Sequence, residues 1–160
     1  GRPNPSGAKS VQAVLDEAGI DVPVVNIPGC PPHPDWFVGT VVGILLRGLP
    51  GPDDLDELGR PLVYYGKLVH ENCPRRADFD AGKFAQHPGQ PGCLYELGCK
   101  GPMTYADCPT RQWNDGQNWC VGAGNPCLGC VEPFFPDGFD PMYKKISEER
   151  LKRFAVGSKE

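Results

Sequence analysis

The sequence predicts the end of an α/β domain followed by an irregular, loop-rich domain with short helices. Two observations carry this. The first fifty residues run helix–strand–loop–helix, and the second helix gathers its apolar residues on one face. From His70 to Pro141 no long periodic segment exists, and the 160-residue chain holds 21 Gly and 19 Pro. Those residues break regular elements and favour turns. The texture changes at Pro50, which divides the chain into 1–50 and 51–160.

Residues 7–18 place Val11, Val14 and Leu15 at helical spacing and stop at Gly19. Val22–Ile27 reads as a short buried strand. The prolines at 28, 31, 32 and 34 stiffen the loop around Cys30. Asp35 is the expected cap of the second helix. Its Phe37, Val38, Val41, Val42, Leu45 and Leu46 fall on one face, which requires a core to cover it. Such a succession is what remains of an α/β domain without its earlier units. Beyond Pro50, Asp53–Leu58 reads as a short polar helix and Leu62–Tyr65 as an extended piece. Short helices are expected near Phe79–Gln86 and Met103–Cys108, and Ser147–Phe154 reads as a charged helix capped by its serine.

About seventy residues with so little regular structure are unusual in a compact domain. Something besides a hydrophobic core must order them, and metal ligation does so because its free energy becomes folding free energy. The 8 cysteines fit this, since seven lie between Cys73 and Cys130. Composition alone leaves zinc and disulfides beside iron–sulfur ligation. Zinc sites want paired two-residue spacings, and only Cys127 and Cys130 have one. Disulfide frameworks usually occupy shorter chains with fewer large apolar residues. The net charge of −4 lacks the basic footprint of a nucleic-acid binder. No apolar run reaches the roughly 18–20 residues that span a bilayer. The chain does not begin with Met and reads as a fragment or processed product. No Ser–His–Asp set or phosphate loop stands out, so no catalytic residue is assigned.

Setting Cys30 aside, His70 and the remaining cysteines make eight ligands, enough for two 4Fe–4S cubes. Chain order assigns His70, Cys73, Cys93 and Cys99 to one, and Cys108, Cys120, Cys127 and Cys130 to the other. Cys30 is left over, which suggests a third cluster whose other ligands lie on chain outside this sequence. Prolines flank the thiols at Cys73-Pro74, Cys108-Pro109 and Pro126-Cys127, as in ferredoxin-type loops. Gly98, Gly101, Gly122, Gly124 and Gly129 let backbone N–H groups turn toward sulfur. Trp113, Trp119, Phe134, Phe135 and Phe139 are candidates to exclude water, or are simply core. His33 is expected to pack near the Cys30 loop and His87 to face solvent. Lys67, Arg75 and Arg76 near His70 are candidates for steering a redox partner, or form an ordinary solvated surface.

Three stretches carry a specific resemblance. They are His70-Glu71-Asn72-Cys73-Pro74-Arg75, Gly92-Cys93-Leu94-Tyr95-Glu96-Leu97-Gly98-Cys99-Lys100-Gly101-Pro102, and Asn125-Pro126-Cys127-Leu128-Gly129-Cys130. With Pro3–Ala8 and Ile27–Pro32 in the same order, they resemble the small subunit of nickel–iron hydrogenases over roughly residues 1–143. The resemblance implies a flavodoxin-like domain, here only its C-terminal end, and an irregular iron–sulfur domain. It implies that Cys30 is the last ligand of a proximal 4Fe–4S cluster. His70, Cys73, Cys93 and Cys99 match the distal 4Fe–4S site. Cys108, Cys127 and Cys130 match the medial cluster, where many family members place proline at the position of Cys120 and hold a 3Fe–4S cluster. Cys120 therefore makes a medial 4Fe–4S cluster the expectation, with 3Fe–4S as the alternative and a free buried thiol as the plainer reading.

The implied function is electron relay between the H2-active nickel–iron centre of a large subunit and an external cytochrome or other redox partner near the distal cluster. H2 chemistry would then belong to the heterodimer, with this chain alone an electron carrier. The other class of function is an electron-transfer subunit of a different redox complex. The family implies the periplasm or the periplasmic face of the membrane, although it also has cytosolic members. No nucleic-acid partner is expected.

Overall fold

The computed structural model describes residues 7–135 and 141–156. Phe139 therefore lies outside the described residues. The chain is loop-rich, with short helices joined by turns, and among the described residues the only β pairing is a set of isolated bridges such as Leu68 with Tyr105 and Phe84 with Cys93.

Helix α1, Val11–Glu17, starts where the Ser10 hydroxyl accepts the Ala13 N–H at 3.2 Å. The segment Val22–Ile27 is not a strand. It joins no ladder; Asn26 donates its backbone N–H to the Gly59 carbonyl at 2.9 Å and its side-chain amide to the Leu58 carbonyl at 2.7 Å. A strand needs a neighbouring ladder, and none of the described residues supplies one.

Helix α2, Pro34–Arg47, is capped two residues earlier than expected. The His33 ring Nδ1, not Asp35, accepts an orphan N–H, that of Asp35, at 3.1 Å. Pro34 fits the first helical position because it has no N–H to satisfy and its φ is preset. The expected apolar face exists but no core covers it. Leu45 and Leu46 are 79% and 75% exposed, and Phe37, Val38, Val41 and Val42 are exposed or partly so, while Trp36 alone in α2 is buried.

Asp53–Leu58 is not a helix beyond a single 3₁₀ turn at Pro52–Asp54. The Asp56 carboxylate captures the N–H groups of Leu58 and Arg60 at 3.0 and 2.8 Å, so it folds its own backbone into a turn. Leu62–Tyr65 is a helical turn, α3, rather than extended. The Pro61 carbonyl accepts from both Tyr64 and Tyr65, and tertiary packing of Tyr65 against Trp36 overrides the β preference of the pair. Helix α4 spans Arg76–Asp80, earlier than the expected Phe79–Gln86, because Gly82 turns the chain and Phe84 bridges to Cys93. The expected Met103–Cys108 helix is instead a 3₁₀ turn at Gly101–Met103, an extended stretch, and then α5, Cys108–Arg111. Pro109 is tolerated only in the first turn of α5, so the helix begins beside it. Helix α6, Glu148–Val156, is entered as expected, with the Ser147 hydroxyl accepting the Arg150 N–H at 3.3 Å.

The core lies in the irregular part. Tyr65, Val69, Leu94, Leu97, Trp119 and Val131 are buried together, and Trp36 plugs α2 into them. The Trp36 indole donates to Asp107 at 2.8 Å and its ring lies 5.1 Å from that of Tyr65. A buried ion pair ties the two ends of this region. Arg60 binds Asp56 at 2.7 Å and Glu132 at 3.1 Å, and Glu132 also accepts the Tyr105 N–H. No helix among the described residues is long and apolar enough to cross a membrane.

Candidate metal centres

The thiols gather in two places. His70, Cys73, Cys93 and Cys99 line one pocket, closed by Val69, Leu94 and Val121. Cys93 and Cys99 are buried, and Cys73 and His70 half-buried. The pocket is assembled from three loops. The Arg75 guanidinium fastens the first to the second by donating to the carbonyls of Gln90 and Gly92 at 3.3 and 2.7 Å. His70 packs edge-on against Phe79 at 4.6 Å. Burial, then the nearby Arg76, lowers the pKa of His70, so its imidazole is held neutral, the form that ligates a metal.

Cys108, Cys120, Cys127 and Cys130 line a second cavity of about 570 Å³, walled by Trp113, Trp119 and Phe135. Trp113 and Trp119 thus lie where exclusion of water requires them. Cys30 reaches the same cavity from its rim, where it is exposed and its backbone N–H faces the Cys130 sulfur. Cys120 is also exposed as a residue, but its side facing the cavity is crowded and desolvation pushes its thiol up. His33 is buried beside this wall, with Nε2 2.8 Å from the Gln112 carbonyl, while His87 is exposed, both as expected. A groove of about 490 Å³ between α2 and α3 contains no thiol and no histidine.

The backbone around the sulfurs repeats one device. The N–H two residues after the cysteine points to its sulfur at Cys73, Cys93, Cys99 and Cys127, from Arg75, Tyr95, Gly101 and Gly129. Gly129 has φ +71°, and a Cβ there would meet the Phe134 ring at 2.6 Å, so the turn that aims this N–H requires glycine. One further bond joins the pockets, from the Cys127 N–H to Cys99 Sγ at 3.3 Å.

Electrostatics fits a bound cationic group. Burial raises the thiols of Cys73, Cys93, Cys120 and Cys130, and those of Cys99 to about 11 and Cys108 to about 12, with Cys127 well up. Mutual repulsion adds to this, from Cys130 and Cys120 on Cys108, and from Cys99 and Cys120 on Cys127. The N–H donors lower the same values and are arranged to stabilise thiolates. Among the described residues, no three His, Cys, Asp or Glu converge closely enough to hold a single ion. A tetrahedral zinc with bonds of about 2.3 Å would need sulfurs about 3.8 Å apart. The donors pooled around the pockets, thiols plus one imidazole, fit iron–sulfur chemistry.

Comparison with known proteins agrees with the motifs. Residues 65–143 match the family model for the C-terminal region of the NiFe/NiFeSe hydrogenase small subunit. The chain is 51% identical over 145 residues to the periplasmic [NiFeSe] hydrogenase small subunit of Desulfomicrobium baculatum, covering 88% of this chain and 45% of that one. The chain belongs to the hydrogenase small-subunit family. Within it, the periplasmic [NiFe] hydrogenase small subunit of Solidesulfovibrio fructosivorans is 51% identical over 149 residues, covering 90% of this chain and 45% of the relative. The fold superposes on the solved [NiFeSe]-hydrogenase of Dm. baculatum with a TM-score of 0.82 at 48% identity, covering 91% of this chain and 53% of that chain. The chain spans about half the length of the curated relatives it matches. Residues 1–44 also match the family model for the 20 Kd subunit of NADH ubiquinone oxidoreductase.

Sequence reasoning missed Thr104 and the Arg60–Glu132 pair. Thr104 is buried with its hydroxyl 3.9 Å from Cys127 Sγ, and Glu132 props the stretch of chain after Cys130. Neither has a local signal, since the partners lie 23 and 72 residues apart.

Proposed function

We propose that this chain is the cluster-bearing part of the electron-transfer subunit of a nickel–iron hydrogenase. The supporting observation is the sorting of eight candidate ligands into two pockets, each furnished with N–H donors aimed at sulfur. When bound, iron–sulfur clusters accept and release single electrons with little rearrangement, because charge spreads over several irons and thiolates. The chain's residues do the rest. His70, Cys73, Cys93 and Cys99 hold the distal 4Fe–4S cluster, and the half-buried His70 faces the side an external cytochrome or similar partner would approach. Cys108, Cys120, Cys127 and Cys130 hold the medial cluster, a 4Fe–4S cube because Cys120 offers a fourth thiolate at the cavity mouth. Cys30 is the last ligand of the proximal cluster. Backbone N–H groups favour the reduced, more negative state, and the tryptophans keep water from the sulfurs.

The partner is a large subunit that holds the nickel–iron centre and performs H2 chemistry. Residues 1–50 are the end of a flavodoxin-like domain, and the exposed face of α2 is where the rest of that domain packs. Residues 51–160 form the cluster domain. The names of the relatives favour the periplasm.

The test is anaerobic purification of the small subunit with its large partner, followed by iron and sulfide quantitation, paramagnetic resonance and H2-dependent dye reduction. Iron, sulfide and H2-linked reduction of the distal signal are expected, and zinc without iron would refute the reading. Cys120→Ser should convert the medial signal to that of a three-iron cluster; an unchanged signal would return Cys120 to the role of a free thiol. A second reading, the electron-transfer subunit of another redox complex, draws on the match of residues 1–44. It predicts clusters of the same kind with no response to H2.

A further inference from the structure

Lys100 is the most deeply buried cation among the described residues, with 0% of its surface exposed. A lysine is almost never so buried without polar partners. Its Nζ lies 3.4 Å from the Gly98 carbonyl and 3.3 Å from that of Pro141. Both oxygens accept from the Lys100 side chain. Its backbone has a second task. The Lys100 N–H donates to the Cys127 carbonyl at 2.8 Å, and the Cys127 N–H donates back toward Cys99 Sγ at 3.3 Å. These two bonds tie a ligand loop of one pocket to a ligand loop of the other.

The segment opened by Pro141 closes over the same junction. Gly98, with φ +83°, has no room for a Cβ, which would lie 2.7 Å from the carbonyl oxygens of Pro141 and Lys144. Tyr143 donates its hydroxyl to Asn125 at 2.9 Å, Lys145 pairs with Glu96 at 2.8 Å, and Ile146 is buried. Lys100 is the anchor on which this segment and both ligand loops meet.

We infer that Lys100 is a positioning residue shared by the two cluster sites, and that its buried positive charge raises the reduction potential of the distal site. The inference rests on the cluster assignment above. A nearby cation favours the state with one more electron, and burial removes the solvent and salt that would screen it. The effect on the medial site is smaller, because the ammonium is bound to the Gly98 carbonyl, beside Cys99.

The experiment compares wild type, Lys100→Gln and Lys100→Arg in the full small subunit bound to its large partner. Iron content is measured, and the distal and medial midpoint potentials are read by redox titration with paramagnetic resonance. Lys100→Gln keeps hydrogen-bond donors but removes the charge. It should retain its iron and shift the distal potential downward by more than the medial one, while Lys100→Arg stays near wild type. Full iron with unchanged potentials in Lys100→Gln would overturn the inference alone. Should Lys100→Gln fail to load, loading and a wild-type distal potential in Lys100→Arg would support a role for charge. Equal failure of both variants would support the positioning role and overturn the effect of charge, because shape would then govern. Wild-type protein without iron would sink the cluster assignment and this inference together.

Discussion

The most regular part of the molecule is the least buried, and the least regular part contains the core. Helix α2 is fourteen residues long, yet only Trp36 of it is buried. Between Pro61 and Glu132 the longest helix has five residues, yet this stretch supplies Tyr65, Val69, Leu94, Trp119 and Val131 to the core. Regularity and order are thus separate properties here. Helix α2 is held by its own backbone bonds, the Trp36 plug and the Asp35–Arg111 pair, whereas the loops are held by buried side chains and paired N–H groups.

The contrast breaks most completely if iron matters little. Iron-depleted protein should lose protease protection across residues 70–135, because ligation there replaces backbone ladders. Limited proteolysis of depleted and loaded protein measures this, and equal protection would mean that the loops stand on packing alone.

Within the loops, Arg60→Met should cost about 3–5 kcal/mol, since it strands the Glu132 carboxylate in a buried site. Burial already raises the pKa of Glu132 despite Arg60, which marks how little solvent reaches it. Denaturant unfolding of the loaded protein reads the loss, and adding Glu132→Leu should recover part of it. A cost that the second change deepens would mean that shape, not stranded charge, is responsible.

The plug of α2 sharpens the comparison. Trp36→Ala should also cost about 3–5 kcal/mol, at the lower end if the cavity collapses. Leu46→Gln, on the same helix but 75% exposed in the isolated chain, should change stability within about 0.5 kcal/mol. The two variants of the 160-residue chain, unfolded side by side, should differ severalfold in effect, and parity would mean that the face of α2 is covered within this chain itself.

The smallest effect belongs to α1. The Lys9–Glu17 pair is at 2.6 Å, but both side chains are about half exposed. Lys9→Ala should shift stability by less than about 0.5 kcal/mol. A larger loss in thermal unfolding would show that the helical end is bound more tightly than its exposure suggests.

Much of the site was legible in the sequence because ligand chemistry is local. Cysteines beside prolines and glycines announce loops that present sulfur, and chain order separates His70, Cys73, Cys93 and Cys99 from Cys108, Cys120, Cys127 and Cys130, which line two different pockets, the second also reached by the Cys30 that chain order set apart. The turns were less legible. Asp56 diverted an expected helix by bonding its own backbone, and Tyr65 turned an expected extended piece into a helix by packing on Trp36. Such outcomes rest on small local preferences that a single contact can reverse.

The sequence by itself pointed to the candidate ligand residues, the family and the apolar face of α2, because each depends on residue type and short spacing. Only the tertiary structure decided that this face is bare, that Arg60 meets Glu132 across 72 positions, that Cys30 stands at the rim of the second cavity, and that Lys100 is wholly buried between the pockets. Burial and pairing of this kind are set by which distant loops come to lie together, and lysine, arginine and glutamate carry the same local propensities whether they end in solvent or inside.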